Sequence, residues 1–171
     1  MEIRIVSNGN LQVDNARIIF RNFTGEGSKF NREGDRNFAL IIDSAEYAEM
    51  LQNEGWNVKI KPPREEGDDP FMYLPVKVKF NSRGPNIYVK SGNAMNKYDE
   101  DMVEAIDHMG ISSCDMDIRA YDWNVNGKTG RTAYLDSMCV IQNVDRFASR
   151  FAPNNSNNSN DKLFDFEEDT L

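Results

Sequence analysis

Asn126-Gly127, set between runs rich in aromatic and β-branched residues, limits the fold of this chain more than any other feature. An Asn-Gly step adopts the left-handed backbone of a two-residue hairpin turn at little steric cost, and strand twist favours that turn. Two antiparallel strands are therefore expected between Met116 and Ile141, joined through Asn126-Gly127-Lys128-Thr129-Gly130.

Other segments carry the same signature. Ala16 to Phe23 reads as a strand, followed by a loop from Thr24 to Asp35 with three glycines, then a strand from Arg36 to Ile42. From Tyr73 to Phe80 the alternation is strict. Leu74, Val76, Val78 and Phe80 point one way, and Tyr73, Pro75, Lys77 and Lys79 the other. Asn81 to Pro85 is a turn, and Ile87 to Lys90 a short partner strand. Asp43-Ser44 is suited to cap a helix that runs to Asn53 and stops at Gly55. A second helix is expected from Asp99 to Met109, with Met102, Val103, Ile106 and Met109 on its apolar face. Lys61 to Pro70 is expected to be a loop. The pattern predicts a mainly β chain, a small Greek-key barrel with one or two helices. The folded part is expected to span residues 1–152. Residues 153–171 are expected to be a disordered polar linker and acidic tail, since Pro153 to Asn160 offers almost no apolar area to bury.

Composition narrows the class. A chain of 171 residues suits one domain with appendages. Met1-Glu2-Ile3-Arg4-Ile5 lacks the build of a signal peptide, and no apolar run is long enough to span a membrane, so a cytoplasmic protein is expected. Cys114 and Cys139 read as small buried hydrophobes, not as a disulfide. His108 has no metal-ligand spacing to either cysteine, so neither metal nor cofactor is expected. The net charge is −8. Asp161, Asp165, Glu167, Glu168 and Asp169 against Lys162 contribute −4 of it, which leaves −4 on the body. A polyanion partner must then be met by local clusters of cations.

Such clusters are present. The first strand carries Arg17, Arg21 and Phe23. The strand at Tyr73 adds Lys77 and Lys79, and its neighbour Tyr88 and Lys90. The hairpin supplies Arg119, Tyr121, Trp123, Lys128, Arg131 and Tyr134. Of Tyr121 and Trp123, the tryptophan nearer the turn is expected to be the more exposed. The loop before Arg36 offers Lys29, Phe30 and Arg32 from a mobile, glycine-flanked segment. Rings stack on unpaired bases and cations neutralise phosphates, so this pairing fits a single-stranded nucleic acid. In the tail, Phe164, Asp165, Phe166, Glu167, Glu168, Asp169 and Leu171 combine acid with apolar side chains. A purely solubilising tail needs no rings, and this mixture suits a basic, apolar-lined pocket on another protein.

These pieces together resemble the single-stranded DNA-binding proteins of bacteriophages. The resemblance rests on Arg21-Asn22-Phe23, the run Asn31 to Phe38, the strand Leu74 to Phe80, and the hairpin Ile118 to Gly130 with its Tyr, Trp and Asn-Gly-Lys spacing. It spans roughly residues 15–142, and it implies an OB fold, no catalysis, and sequence-tolerant binding in DNA replication or recombination in the host cytoplasm. The tail is similar in design to those that recruit replication or recombination proteins, although it ends in Thr170-Leu171 where the bacterial form ends in Pro-Phe. Two other readings compete. Asp115 and Asp117 share a strand face, as the carboxylates of a two-metal nuclease do. The acidic body would also suit a phage protein-binding module or inhibitor that does not bind DNA.

Overall fold

In the computed structural model, which describes residues 1–144, the chain is mainly β with few helices. The strands are β1 (Glu2–Ile5), β2 (Leu11–Ala16), β3 (Ile18–Asn22), β4 (Arg36–Ile42), β5 (Lys59–Lys61), β6 (Phe71–Val78), β7 (Asn86–Ser91), β8 (Ala94–Tyr98), β9 (Ile111–Val125) and β10 (Lys128–Gln142). Among the described residues the one α-helix is α1 (Ala45–Asn53), with short 3-10 helices at Ser7–Gly9 and Val103–His108. Hydrogen-bonded neighbours run β1-β2-β9-β10-β6-β4-β3, with β5 on β6, and β7 between β10 and β8. The sheet is OB-like and open: among the described residues this path does not return from β3 to β1.

The β9–β10 hairpin is the spine. Asn126 (φ 51°) and Gly127 (φ 80°) both take the left-handed backbone that its two-residue turn requires. Pairing runs from Val125–Lys128 to Ile111–Gln142, beyond the expected bounds at both ends. A bulge lies between Leu135 and Ser137. It is needed because the buried residues change parity there, from Ala133 and Leu135 to Met138 and Val140. One extra residue keeps both pairs facing the core.

The core is the inward side of these strands. Leu11 and Val13, Phe38, Leu40 and Ile42, Leu74 and Val76, Met116 and Ile118, and Val140 are all buried. Each large side chain taken from water contributes about 1.5–3 kcal/mol. Ser44 caps α1, its hydroxyl accepting from the Tyr47 N–H at 3.1 Å. The helix ends in a paired turn: Gly55 (φ 92°) donates to Gln52, and Trp56 donates to Leu51 and drops into the core. The expected helix at Asp99–Met109 is a 3-10 turn over Val103–His108, whose three-residue period suits buried Val103 and Ile106. Lys59–Lys61 pairs with β6 as β5, so of the expected loop Lys61 to Pro70 the first residue belongs to a strand. The strands β1, β2 and β8 go beyond the expected elements.

Candidate nucleic-acid interface

The outward side of the sheet collects the rings and cations. Reading across the register, Arg119 of β9 faces Tyr134 of β10, Tyr134 faces Lys77 of β6, and Lys77 faces Asn37 of β4. The Arg119 guanidinium lies 5.2 Å from the Tyr134 ring centroid, and Tyr121 meets the same ring edge-on at 6.0 Å. A ring thus stands between two exposed cations, neither in an ion pair among the described residues.

Tyr134 and Lys77 also line a cleft of about 580 Å³, whose other wall is the Thr24–Asp35 loop. Phe30, Arg32, Arg36, Lys79, Phe80 and Glu100 complete its chemistry. This loop, expected to be mobile, is held by its own hydrogen bonds. The Asn31 amide donates to the carbonyls of Glu26 and Asp35, each at 2.9 Å, and its oxygen accepts from Asn37 at 2.9 Å. At its base the Gly34 N–H donates to the Gly25 carbonyl at 2.8 Å, and a Cβ on Gly25 would stand 3.2 Å from the Gly34 backbone. Asp107 accepts from the Phe23 and Thr24 amides and the Thr24 hydroxyl, tying the loop to the 3-10 turn. The result is a preformed arm that holds Phe30 93% exposed, with the Lys29 ammonium 5.8 Å from its ring centroid.

Several expected site residues prove to be structural. Phe23 is fully buried and stacks on Phe38 at 5.5 Å, so no base can reach it. Arg21 donates to the carbonyls of Ile106 and Met109, both at 2.7 Å, and closes the 3-10 turn. Arg131 lies on the other side of the hairpin ribbon from Tyr134. Its guanidinium is bonded to Asp122 at 2.7 Å and 3.2 Å and lies 5.4 Å from the Trp56 ring centroid. That pair holds the Asp122 carboxyl below its ordinary range. Arg36 is in the cleft but engaged, donating to the Phe23 carbonyl and to Glu100, each at 2.8 Å.

The remaining residues lie around the row. Tyr121 is 51% exposed and Trp123 38%, the reverse of the expected order, because the indole lies over Gly130. A Cβ at Gly130 would collide with that indole. Lys128 shares this side at the turn. Tyr88 and Lys90 sit at the acidic end of the face, where Tyr88 pairs with Cys139, itself opposite Asp115. Asp115 and Asp117 are used structurally, accepting from the Asn15 N–H at 2.8 Å and the Ser137 hydroxyl at 3.1 Å. No group of three or more metal-ligating side chains occurs among the described residues. Cys114 is buried, which pushes its thiol up to about 12. The tail residues Phe164 to Leu171 lie outside the described residues.

Three partners of Tyr73 were missed at the sequence level. Phe20, Phe71 and Lys61 gather around its ring from three different strands. Within the sequence, only the exposed-side alternation of β6 pointed toward them.

An OB-like sheet with accessible rings and unpaired cations on one face is the build shared by binders of single-stranded nucleic acid. The chain belongs to the family described as "Putative phage ssDNA-binding domain", whose model matches residues 2–170. No curated protein sequence matches it. Its fold is similar to that of the single-stranded DNA-binding protein from bacteriophage Enc34. The TM-score is 0.53 at 9% identity, covering 94% of this chain and 93% of that one. A C-terminal truncation of the Enc34 protein gives 0.53 at 12% identity, covering 82% and 90%.

Proposed function

We propose that this chain binds single-stranded DNA, with little regard to sequence, across the Arg119–Tyr134–Lys77 row and into the cleft beneath the Phe30 arm. It would act without catalysis in phage DNA replication or recombination, in the host cytoplasm. The observation that carries this reading is the row itself, a ring between two unpaired cations that opens onto a cleft with Lys79 and Arg32 at its rim. Bases stack on Tyr134, Tyr121 and Phe30, while the cations meet phosphates. The one α-helix among the described residues, α1, has no Lys or Arg and exposes Glu46 and Glu49, which does not suit it to a major groove. Fluorescence anisotropy with a labelled oligothymidylate and a duplex of equal length tests this. At low salt the single strand should bind at least tenfold more tightly. Equal affinities would reject single-strand selectivity, and no binding to either would favour an acidic protein-binding module.

Residues 1–152 form the binding domain in this reading, and 153–171 its linker and tail. The tail's acids and Phe164, Phe166 and Leu171 suit recruitment of replication or recombination proteins through a basic, apolar-lined pocket. Tethered carboxylates also compete with phosphates for the same cations at high local concentration. Protein lacking residues 161–171 is therefore expected to bind DNA more tightly at low salt, with the gain shrinking as salt rises. Unchanged or weaker affinity would reject the competition and leave recruitment as the tail's separate role.

A further inference from the structure

Beyond Pro75, where the cleft ends on β6, three rings form a triangle, Phe20 exposed and Phe71 and Tyr73 half-buried. Phe20 meets Phe71 at 6.2 Å and Tyr73 at 5.6 Å, both edge-on, and Phe71 lies 5.5 Å from Tyr73. The Lys61 ammonium lies 5.5 Å from the Phe20 centroid and 5.7 Å from that of Tyr73. Lys61 enters no ion pair among the described residues.

Phe20 is the unusual member. It is 53% exposed, and its backbone sits at φ 54°, where Gly, Asn or Asp is favoured and a bulky ring is strained. The cause is a bulge: β3 takes three steps from Ile19 to Asn22 while β4 takes two, from Ala39 to Asn37. That bulge turns Arg21 toward the 3-10 turn and lets Phe23 enter the core. Any residue tolerant of positive φ would serve it, and a large ring left in water serves it badly. The fold accounts for the bulge and leaves the phenylalanine unexplained.

We propose that the Phe20–Phe71–Tyr73 triangle, with Lys61 above it, is a second base-stacking subsite for the strand that occupies the cleft. This rests on the single-stranded DNA reading and extends it. The rings offer π-faces and Lys61 a free charge for the neighbouring phosphate, the same chemistry as at Tyr134. Tyr73 lies two residues beyond Pro75, the last β6 residue in the cleft wall, about 7 Å at the rise of a strand and about 13 Å from Lys77, so an oligonucleotide that ends at the cleft edge does not reach the triangle. Between them, Pro75 and its partner Ala39 carry no charge to repel a strand. A longer oligonucleotide engages both.

The test is a length series of labelled oligothymidylates, within the range of about 4 to 16 nucleotides that such folds cover, on the full chain and on Phe20→Asn. Asparagine removes the ring and suits the positive φ, so this variant should melt at or above the wild-type temperature. Wild type should gain affinity as length passes the span of the cleft. Phe20→Asn should bind the shortest oligonucleotides like wild type and the longest about 5- to 140-fold more weakly, the range for one lost stack. Phe20→Tyr should restore the gain, and Lys61→Gln should lower it selectively. Unchanged affinity at every length would overturn the proposal and assign the triangle to another class of partner. Equal loss at every length, or a lowered melting temperature, would also overturn it, since the ring would then act through the fold. Wild type failing to bind any length would reject the single-stranded DNA reading itself.

Discussion

Between about 50 and 200 mM monovalent salt, affinity for a single strand is expected to fall about 100-fold. If the free cations Lys61, Lys77, Lys79 and Arg119 each meet one phosphate, and Arg32 leaves its exposed 3.5 Å pair with Asp35 to meet a fifth, counterion release at about −0.7 per contact gives a log–log slope of about −3.5. A fourfold rise in salt then costs about two orders of magnitude. The slope should separate free cations from engaged ones. Lys77→Ala removes an exposed cation and should flatten the slope by about 0.7. Arg131→Ala should leave it unchanged, because that guanidinium is already bound to Asp122 and packed on Trp56. Anisotropy titrations at four or five salt concentrations check both. A wild-type slope near zero would mean that the face does not meet the backbone.

Phe23→Ala and Tyr134→Ala are expected to fail in opposite ways. Removing the buried Phe23 ring leaves a cavity against Phe38 and should cost about 3–5 kcal/mol of stability. Assayed well below its melting temperature, that variant should still bind DNA like wild type. Tyr134→Ala removes the ring between Arg119 and Lys77 and should cost about 1–3 kcal/mol of binding. Its melting temperature should move far less than that of Phe23→Ala, since the ring is only half buried. Thermal denaturation and affinity on the same two preparations decide the matter. Normal binding by a stable Tyr134→Ala protein would remove the row from the interface.

Where local chemistry decides local structure, the sequence was readable. The Asn-Gly turn, the strand Arg36–Ile42, the Ser44 cap and the inward set Leu74, Val76 and Val78 follow from backbone preference and period-two burial. Misreadings cluster at bulges. Counting alternation through β3 puts Phe23 outside, because nothing in the residues announces the extra step between Ile19 and Asn22. Arg131 was within reach, since it differs from Tyr134 by an odd number and must face the other side of the ribbon. Its charge drew it into the site against that count. The strands β1 and β2 were hidden by polar residues such as Gln12 and Asp14 and by a bulge near Asn15. The Phe20 triangle was beyond reach for another reason: its members come from β3, β5 and β6, which only the tertiary fold brings together.

The order of strands across the sheet also bears on how the protein is made. β10 supports β6 and β7, and β9 supports β2, yet β9 and β10 lie at the end of the described chain. A ribosome adding about 5–20 residues per second delivers them several seconds after the strands that depend on them. Until then β2, β6 and β7 emerge with open edges, and only neighbours such as β4 and β6 can pair. Folding therefore waits on late, long-range closure, which is slow. A message interrupted before β9 leaves β1 with β2, β7 with β8, and β4 with β3 and β6, as separate ribbons without the hairpin that joins them into one sheet.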